Sequence, residues 1–155
     1  MGGSGVPIEP FRIFFYFVRF VMTRINVGIR PEELSDQHLI AEYRELPRVF
    51  GHSPKSATPK DFKLGSGHVN WCSQYQGSLL DRHRQLCWEM KFRGFKVNFN
   101  SEKVLESYWP RSQVKAARKA LKIRILERLN SMTRNPTWTN RSRPNWAKLE
   151  ERHVG

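Results

Sequence analysis

The sequence predicts a mainly α-helical fold, a compact single domain of about three helices joined by long loops. Apolar residues recur every three to four positions in three separate stretches, which is the period of an amphipathic helix. Proline and glycine punctuate the chain between those stretches and indicate loops. With 39% hydrophobic residues over 155 positions, the chain can bury a core, which excludes disorder as its main state.

The first predicted helix begins after Ser35 or Asp36, either of which can cap its N-terminus, and runs at least to Leu46, where Pro47 kinks or ends it. Its apolar face consists of Leu39, Tyr43, Leu46 and Phe50. A second face consists of His38, Ala41, Glu42 and Glu45, flanked by Arg44 and Arg48. The pattern therefore predicts a helix with a cluster of ionisable side chains along one side.

Two more helices are predicted further along the chain. One covers residues 79–93, with Gly94 at the left-handed position that often ends a helix. The other follows Pro110 and runs from about Ser112 to Ser131. Its apolar stripe consists of Val114, Ala117, Leu121, Ile125 and Leu129, and its opposite side carries Lys115, Arg118, Lys119 and Lys122. The segment beyond Asn135 is expected to be irregular.

The net charge of +13 at pH 7 favours a polyanionic partner, nucleic acid first and a membrane surface second. Residues 11–21 form an aromatic run, but Arg12 and Arg19 interrupt it, and it has about half of the ~20 apolar residues that a spanning helix needs. No membrane insertion is therefore expected. Two cysteines are too few for a disulfide framework and suit a reducing cytoplasm.

Two His–Cys pairs raise the question of a metal site. His68 and Cys72, like His83 and Cys87, are four positions apart, a spacing that brings side chains together on a helix. The alternative is that each cysteine belongs to an apolar helical stripe, and buried cysteines are common in cores. We favour the second interpretation and expect neither a metal nor a cofactor.

Several blocks of this sequence resemble the pyrimidine-dimer DNA glycosylases of the phage endonuclease V type. They are MTRIN at 22–26, DQHLIAEYRELPRVFG at 36–51, FKLGSGHV at 62–69, KFRGF at 91–95 and PTW at 136–138. The resemblance covers most of residues 22–138. It implies a small repair enzyme for double-stranded DNA that contains pyrimidine dimers or abasic sites. A monomer is expected, located in the cytoplasm on DNA, or in the host cytoplasm if the protein is phage-encoded.

The resemblance also implies a chemistry. In the family the initiating Met is removed, and the α-amine of the following Thr, here Thr23, attacks C1′ of the damaged nucleotide. An α-amine has a pKa of about 8, so a sizeable fraction is neutral and nucleophilic near neutral pH. The resulting Schiff base permits β-elimination, so that one nucleophile serves both as N-glycosylase and as abasic-site lyase. Glu45 corresponds to the catalytic carboxylate, and the segment around Thr23 is expected to pack against the first helix.

Further residues correspond to the DNA-binding positions of the family. Arg24, Arg44 and Arg48 match arginines that hold phosphates, and Gln37 and His38 match neighbouring polar contacts. Trp138 follows a matching Pro-Thr and is the best candidate among the tryptophans for a DNA contact. The alternative for Glu45 is an ordinary solvated carboxylate that pairs with Arg44 or Arg48.

Residues 1–21 lie outside the resemblance. We expect them to be an N-terminal extension that is not part of the glycosylase domain at 22–155, with Met22 as the true start. Joined to them, the Thr23 nitrogen is an amide without a basic lone pair. A chain that retains them would then be a noncatalytic basic DNA-binding protein, which is one alternative function. The other is a glycosylase or lyase for a different base lesion.

Overall fold

The computed structural model of the protein describes residues 24–51, 60–65, 67–98 and 106–150. It contains four α-helices: α1 (Asp36–Glu45), α2 (His68–Ser73), α3 (Gln76–Phe92) and α4 (Arg111–Ser131). Short 3-10 helices cover Pro31–Glu33, Leu46–Val49 and Asn145–Ala147, and the described ranges contain no strand. The predicted mainly α fold is confirmed, with α2 as a helix that the sequence pattern did not indicate.

The ends of α1 follow from local sequence signals. The Ser35 hydroxyl accepts a hydrogen bond from the backbone N–H of His38 at 3.1 Å, and this contact caps the first turn as predicted. The helix ends at Glu45, and the chain tightens into the 3-10 helix Leu46–Val49. Pro47 explains this change because it has no N–H to continue the α-helical hydrogen-bond pattern.

The two longer helices also match their sequence patterns. Gly94 follows α3 with a φ of +88°, in the left-handed region that favours glycine. On α4, the side chains of Ala117, Leu121, Ile125 and Leu129 are buried in the core. Arg118, which the pattern placed on the side opposite the apolar stripe, donates through its guanidinium to the Gly28 carbonyl at 2.7 Å and to Glu33 at 2.8 Å. None of the four described helices has the length and apolar character needed to cross a bilayer.

The segment at 24–34 precedes α1 and forms part of the core. Its apolar side chains Ile25, Val27, Ile29 and Leu34 are fully buried. At Gly28 the φ is +80°, and a Cβ there would lie 2.9 Å from both the Arg118 Cβ and the Val114 carbonyl oxygen of α4. The described part of the N-terminal region therefore packs against the helices, as expected.

The segment at 132–150 follows α4 and contains only the 3-10 helix Asn145–Ala147. It is irregular, as predicted, yet specific hydrogen bonds hold it against the start of α1. The hydroxyls of Thr137 and Thr139 donate to Asp36 at 2.7 and 2.5 Å. The indole N–H of Trp146 donates to the Glu33 carboxylate at 3.0 Å.

Candidate active site

Two carboxylates on α1 are buried, although the sequence left open whether Glu45 faces solvent. Glu42 is 2% exposed and Glu45 is 6% exposed. The guanidinium of Arg82, from α3, lies 2.7 Å from one carboxylate oxygen of Glu42 and 2.9 Å from the other. The side-chain amide of Asn26 donates to Glu42 at 2.7 Å. Glu42 and Glu45 are thus turned inwards, so Glu45 is not a solvated side chain, and its catalytic role stays a prediction.

The same contacts fix the chain that enters α1. Asn26 is attached to Glu42, and Arg82 also donates to the carbonyl of Ile29. On the other side of the segment, the backbone N–H of Ile25 donates to Nε2 of His68 at 2.8 Å. Thr23 itself lies outside the described residues. It is three positions before Asn26, so the chain that leads to Thr23 is held against α1 at Glu42, one helical turn from Glu45.

The electrostatics of the site show that α4 also contributes to it. Burial and the nearby positive charge of Arg124 lower the pKa of Arg24. Burial and the charge of Arg128 lower the pKa of His38 to about 4, against an opposing contribution from Glu42. His38 is therefore neutral at pH 7. Arg124 and Arg128 were missed in the sequence, although their spacing of four positions repeats that of Arg44 and Arg48.

Arg44 and Arg48 lie at the C-terminal end of α1. Both side chains are exposed, Arg44 in the last turn of the helix and Arg48 in the 3-10 helix that follows. Glu45 is adjacent to Arg44 in the chain. An exposed pair of guanidinium groups thus accompanies the buried carboxylate at one end of α1.

Gln37 and Trp138 are located at the opposite end of α1. The Gln37 side chain accepts from the backbone N–H of Thr137 at 3.1 Å and donates to the carbonyl of Asn135 at 3.3 Å. The indole N–H of Trp138 donates to the carbonyl of Glu33 at 3.1 Å. Along the helix axis, Gln37 and Glu45 are about 12 Å apart. The structure therefore does not group these two side chains with Glu45, and their DNA contacts stay predictions.

The two His–Cys pairs have structural contacts. His68 interacts with the backbone of Ile25, and Nε2 of His83 lies 3.0 Å from the carbonyl oxygen of Tyr43. Burial raises the pKa of Cys72 well above its usual range and that of Cys87 to about 11, so both thiols are protonated at neutral pH. Within the described ranges, no three His, Cys, Asp or Glu side chains are grouped so that they could hold a metal ion.

A protein-family comparison covers the part of the chain that forms most of the candidate site. Residues 22–103 match the sequence model of the family described as pyrimidine dimer DNA glycosylase. The match begins immediately before Thr23, includes α1, α2 and α3, and ends before α4. It covers more than half of the 155 residues. The chain therefore belongs to the pyrimidine dimer DNA glycosylase family, whose members are DNA repair enzymes.

Proposed function

We propose that this protein excises UV-induced pyrimidine dimers from duplex DNA and cleaves the resulting abasic site through a Schiff base on the Thr23 α-amine. The observation that carries the proposal is the 2.7 Å hydrogen bond from Asn26 to Glu42. It holds the chain just after Thr23 on the α1 face that also bears the buried Glu45. The chain that leads to the proposed nucleophile is thus attached to the helix face that bears the proposed carboxylate.

In the proposed reaction, the lone pair of the Thr23 nitrogen attacks C1′, and the C1′–N bond to the damaged base breaks. The base leaves with the bonding electrons and takes up a proton. The new C–N bond becomes a protonated Schiff base once the sugar ring opens. Loss of a proton from C2′ then expels the 3′ phosphate by β-elimination, and water releases the enzyme by hydrolysing the imine.

Glu45 is proposed to stabilise the positive charge that develops at C1′ and to transfer protons during these steps. A carboxylate that is 6% exposed acts in a region of low dielectric, where its interaction with a cationic transition state is stronger than in water. The buried Arg82 balances the charge of Glu42 one turn away, so that Glu42 is committed to a structural ion pair.

The positive charge is proposed to hold the phosphates. Arg44 and Arg48 are exposed beside Glu45, while Arg124 and Arg128 approach Arg24 and His38 from α4. With a net charge of +13, binding to undamaged duplex should weaken steeply with added salt, because each phosphate contact releases counterions. A dimer weakens stacking and pairing, which lowers the cost of kinking the duplex and extruding a nucleotide. The family resemblance implies that the extruded base is the one opposite the lesion.

The nucleophile is tested by trapping the Schiff base with borohydride, which reduces it to a stable amine. A chain that begins at Thr23 should form a covalent adduct with dimer-containing duplex, and peptide mass analysis should place the adduct on the Thr23 α-nitrogen. The 155-residue chain is the matched control and should form no adduct, because its Thr23 nitrogen is an amide. Equal trapping of both chains would mean that a lysine is the nucleophile and would refute the assignment.

The carboxylate is tested separately with Glu45→Gln in the chain that begins at Thr23. The amide keeps the shape of the side chain but cannot carry negative charge, so base excision should fall by at least about 100-fold while lesion binding is retained. Glu106→Gln, at an exposed position, is the matched control and should excise at the wild-type rate. Near-normal excision by Glu45→Gln would remove Glu45 from the reaction.

A further inference from the structure

His68 is completely buried and contacts the backbone of the N-terminal segment. Its Nε2 atom lies 2.8 Å from the Ile25 nitrogen and 3.1 Å from the Ile25 carbonyl oxygen. The ring of Phe62 packs edge-on against the imidazole, with 5.2 Å between ring centroids. The imidazole is therefore held on one side by an aromatic ring and bonded on the other to the chain that leads to Thr23.

The protonation state of His68 follows from these contacts. Donation from the Ile25 N–H requires a lone pair on Nε2, and the inference therefore rests on the tautomer that carries its ring proton on Nδ1. Burial and the charge of Arg24 lower the pKa of His68 to about 4, so the ring is neutral at pH 7. Neutral imidazole is the form that can accept this hydrogen bond.

The arrangement has an energetic cost that a purely apolar core would avoid. Nδ1 of His68 is buried and has no hydrogen-bond partner among the described residues. A buried polar group without a partner is destabilising. The side chain nevertheless satisfies the buried N–H of Ile25.

The contact is close to the proposed nucleophile in the chain. Ile25 is two positions after Thr23, and two residues of extended chain span at most about 7 Å. The attachment of the Ile25 nitrogen therefore lies within about 7 Å, along the chain, of the proposed nucleophile. Asn26 provides the second attachment, on α1 at Glu42, so that the segment is held by α1 and α2 together.

We propose that His68 is a positioning residue, which accepts a hydrogen bond from Ile25 and thereby places the Thr23 α-amine for attack on the sugar. The inference rests on the proposed function. The inference gives α2 a role in the reaction. This helix contains none of the expected catalytic or DNA-binding residues. The role is indirect, since His68 acts through the backbone of Ile25.

The test compares His68→Gln with His68→Asn in the chain that begins at Thr23. Gln can place an oxygen near the position of Nε2, whereas Asn is one methylene shorter and reaches only the position of Nδ1. In single-turnover reactions with excess enzyme on dimer-containing duplex, Schiff-base formation is sampled over time by borohydride quenching. At saturating enzyme, the rate constant should fall about 10- to 100-fold in His68→Asn and stay within about threefold of wild type in His68→Gln. The enzyme concentration for half-saturation should not change.

A destabilised control separates positioning from loss of folded protein. Met90→Ala removes a buried side chain of α3 that is outside the proposed site. Loss of folded enzyme lowers the concentration of active molecules, which titration with excess DNA measures, but it leaves the saturated rate constant unchanged. His68→Asn should lower the rate constant itself.

The outcomes separate the two proposals. A wild-type rate constant in His68→Asn, with adduct formation intact, would overturn the role of His68 and leave the proposed function standing. An equal loss in His68→Gln and His68→Asn would also overturn it, because the acceptor at the Nε2 position would then not matter. If the wild-type chain that begins at Thr23 forms no adduct at all, the proposed function fails and the inference fails with it.

Discussion

The segments at 24–34 and 132–150 flank the helices and contain no α-helix, but they are held in different ways. The N-terminal segment buries four apolar side chains completely and is attached to Glu42, His68 and Arg82 inside the core. The C-terminal segment buries one apolar side chain completely, that of Ala147, and is attached by hydrogen bonds to three carboxylates, those of Glu33, Asp36 and Glu89.

This difference matches the role proposed for the N-terminal segment. A nucleophile that must meet a sugar carbon within a few tenths of an ångström requires a rigid support, which close packing provides. A segment held through hydrogen bonds to carboxylates depends on pH, because protonation of a carboxylate weakens them. We therefore expect changes in the buried attachments to have large effects and changes in the tail to have small ones.

The largest effect is expected from the buried ion pair. Glu42→Gln leaves the charge of Arg82 buried without its counterion, which should lower the free energy of unfolding by about 3–5 kcal/mol. Urea unfolding monitored by circular dichroism measures the loss. Asp81→Asn is the control, since the Asp81–Arg84 pair is exposed, and it should change stability by less than about 1 kcal/mol. Similar losses of stability in both variants would contradict the expectation that buried attachments matter more than exposed ones.

Acid should weaken the attachment of the N-terminal segment at His68 and that of the tail at Glu33 in different pH ranges. His68 has a pKa of about 4 in the fold against an ordinary value of 6.5, so unfolding binds a proton and stability falls between about pH 6.5 and 4. This loss is on the order of 3 kcal/mol, and His38 adds to it in the same direction. Burial opposes ionisation of Glu33, but hydrogen bonds from Arg118, Trp146 and Arg30 outweigh it and lower the pKa of Glu33 to about 2.

The stability that Glu33 contributes is therefore present above about pH 4.5 and is lost as the pH falls towards 2. Urea unfolding at a series of pH values measures the free energy of unfolding across both pH ranges. His68→Gln should reduce the loss between pH 6.5 and 4 and leave the loss at lower pH unchanged. An unchanged upper range in that variant would show that His68 does not titrate as proposed.

The packing of the N-terminal segment on α4 is tested at Gly28. Gly28→Ala should destabilise the protein by about 2–3 kcal/mol, because the new methyl group adds a contact of 2.9 Å to the strain of a positive φ. Gly94→Ala is the matched control, since Gly94 has a similar φ with nothing within 4 Å of the added Cβ. It should cost only about 1 kcal/mol. Thermal unfolding of both variants would reveal whether close approach or backbone strain dominates.

The smallest effect is expected in the tail. Trp146→Phe removes the indole N–H that donates to Glu33 and should cost about 1 kcal/mol. Hydrogen exchange in residues 132–150 should increase, while exchange at Ile25 stays slow. Trp88→Phe is the control, because Trp88 is 67% exposed, and it should leave exchange in the tail unchanged. Faster exchange at Ile25 in Trp146→Phe would mean that the two segments are coupled.

Much of the fold could be predicted because its signals are local. Ser35 caps α1, Pro47 ends it, and Gly94 terminates α3, each through contacts or dihedral angles within a few residues. The catalytic role of Glu45 was indicated by the resemblance and stays a prediction, while the structure shows that its side chain is buried.

Other features could not be predicted because they depend on distant partners. The pattern placed Glu42 on a polar face, and only the structure shows that Arg82, 40 positions away, allows it to be buried. Arg124 and Arg128 belong to a generally basic helix until the fold places them near Arg24 and His38. The six residues of α2 are too few for a helical period to be visible.

The distances along the chain that separate bonded residues indicate an order of assembly during synthesis. The hydrogen bonds of Ile25, Asn26 and Ile29 within the core join positions 16 to 53 residues apart, whereas those of Glu33 and Gln37 to the tail join positions 98 to 113 residues apart. Contacts between residues far apart in sequence require large loops to close and form late. A ribosome that has released residue 82 has supplied every partner of Asn26 and Ile25 described above, long before Trp146 emerges. The region around the proposed nucleophile can thus assemble first, and the tail can close over the start of α1 as the last step.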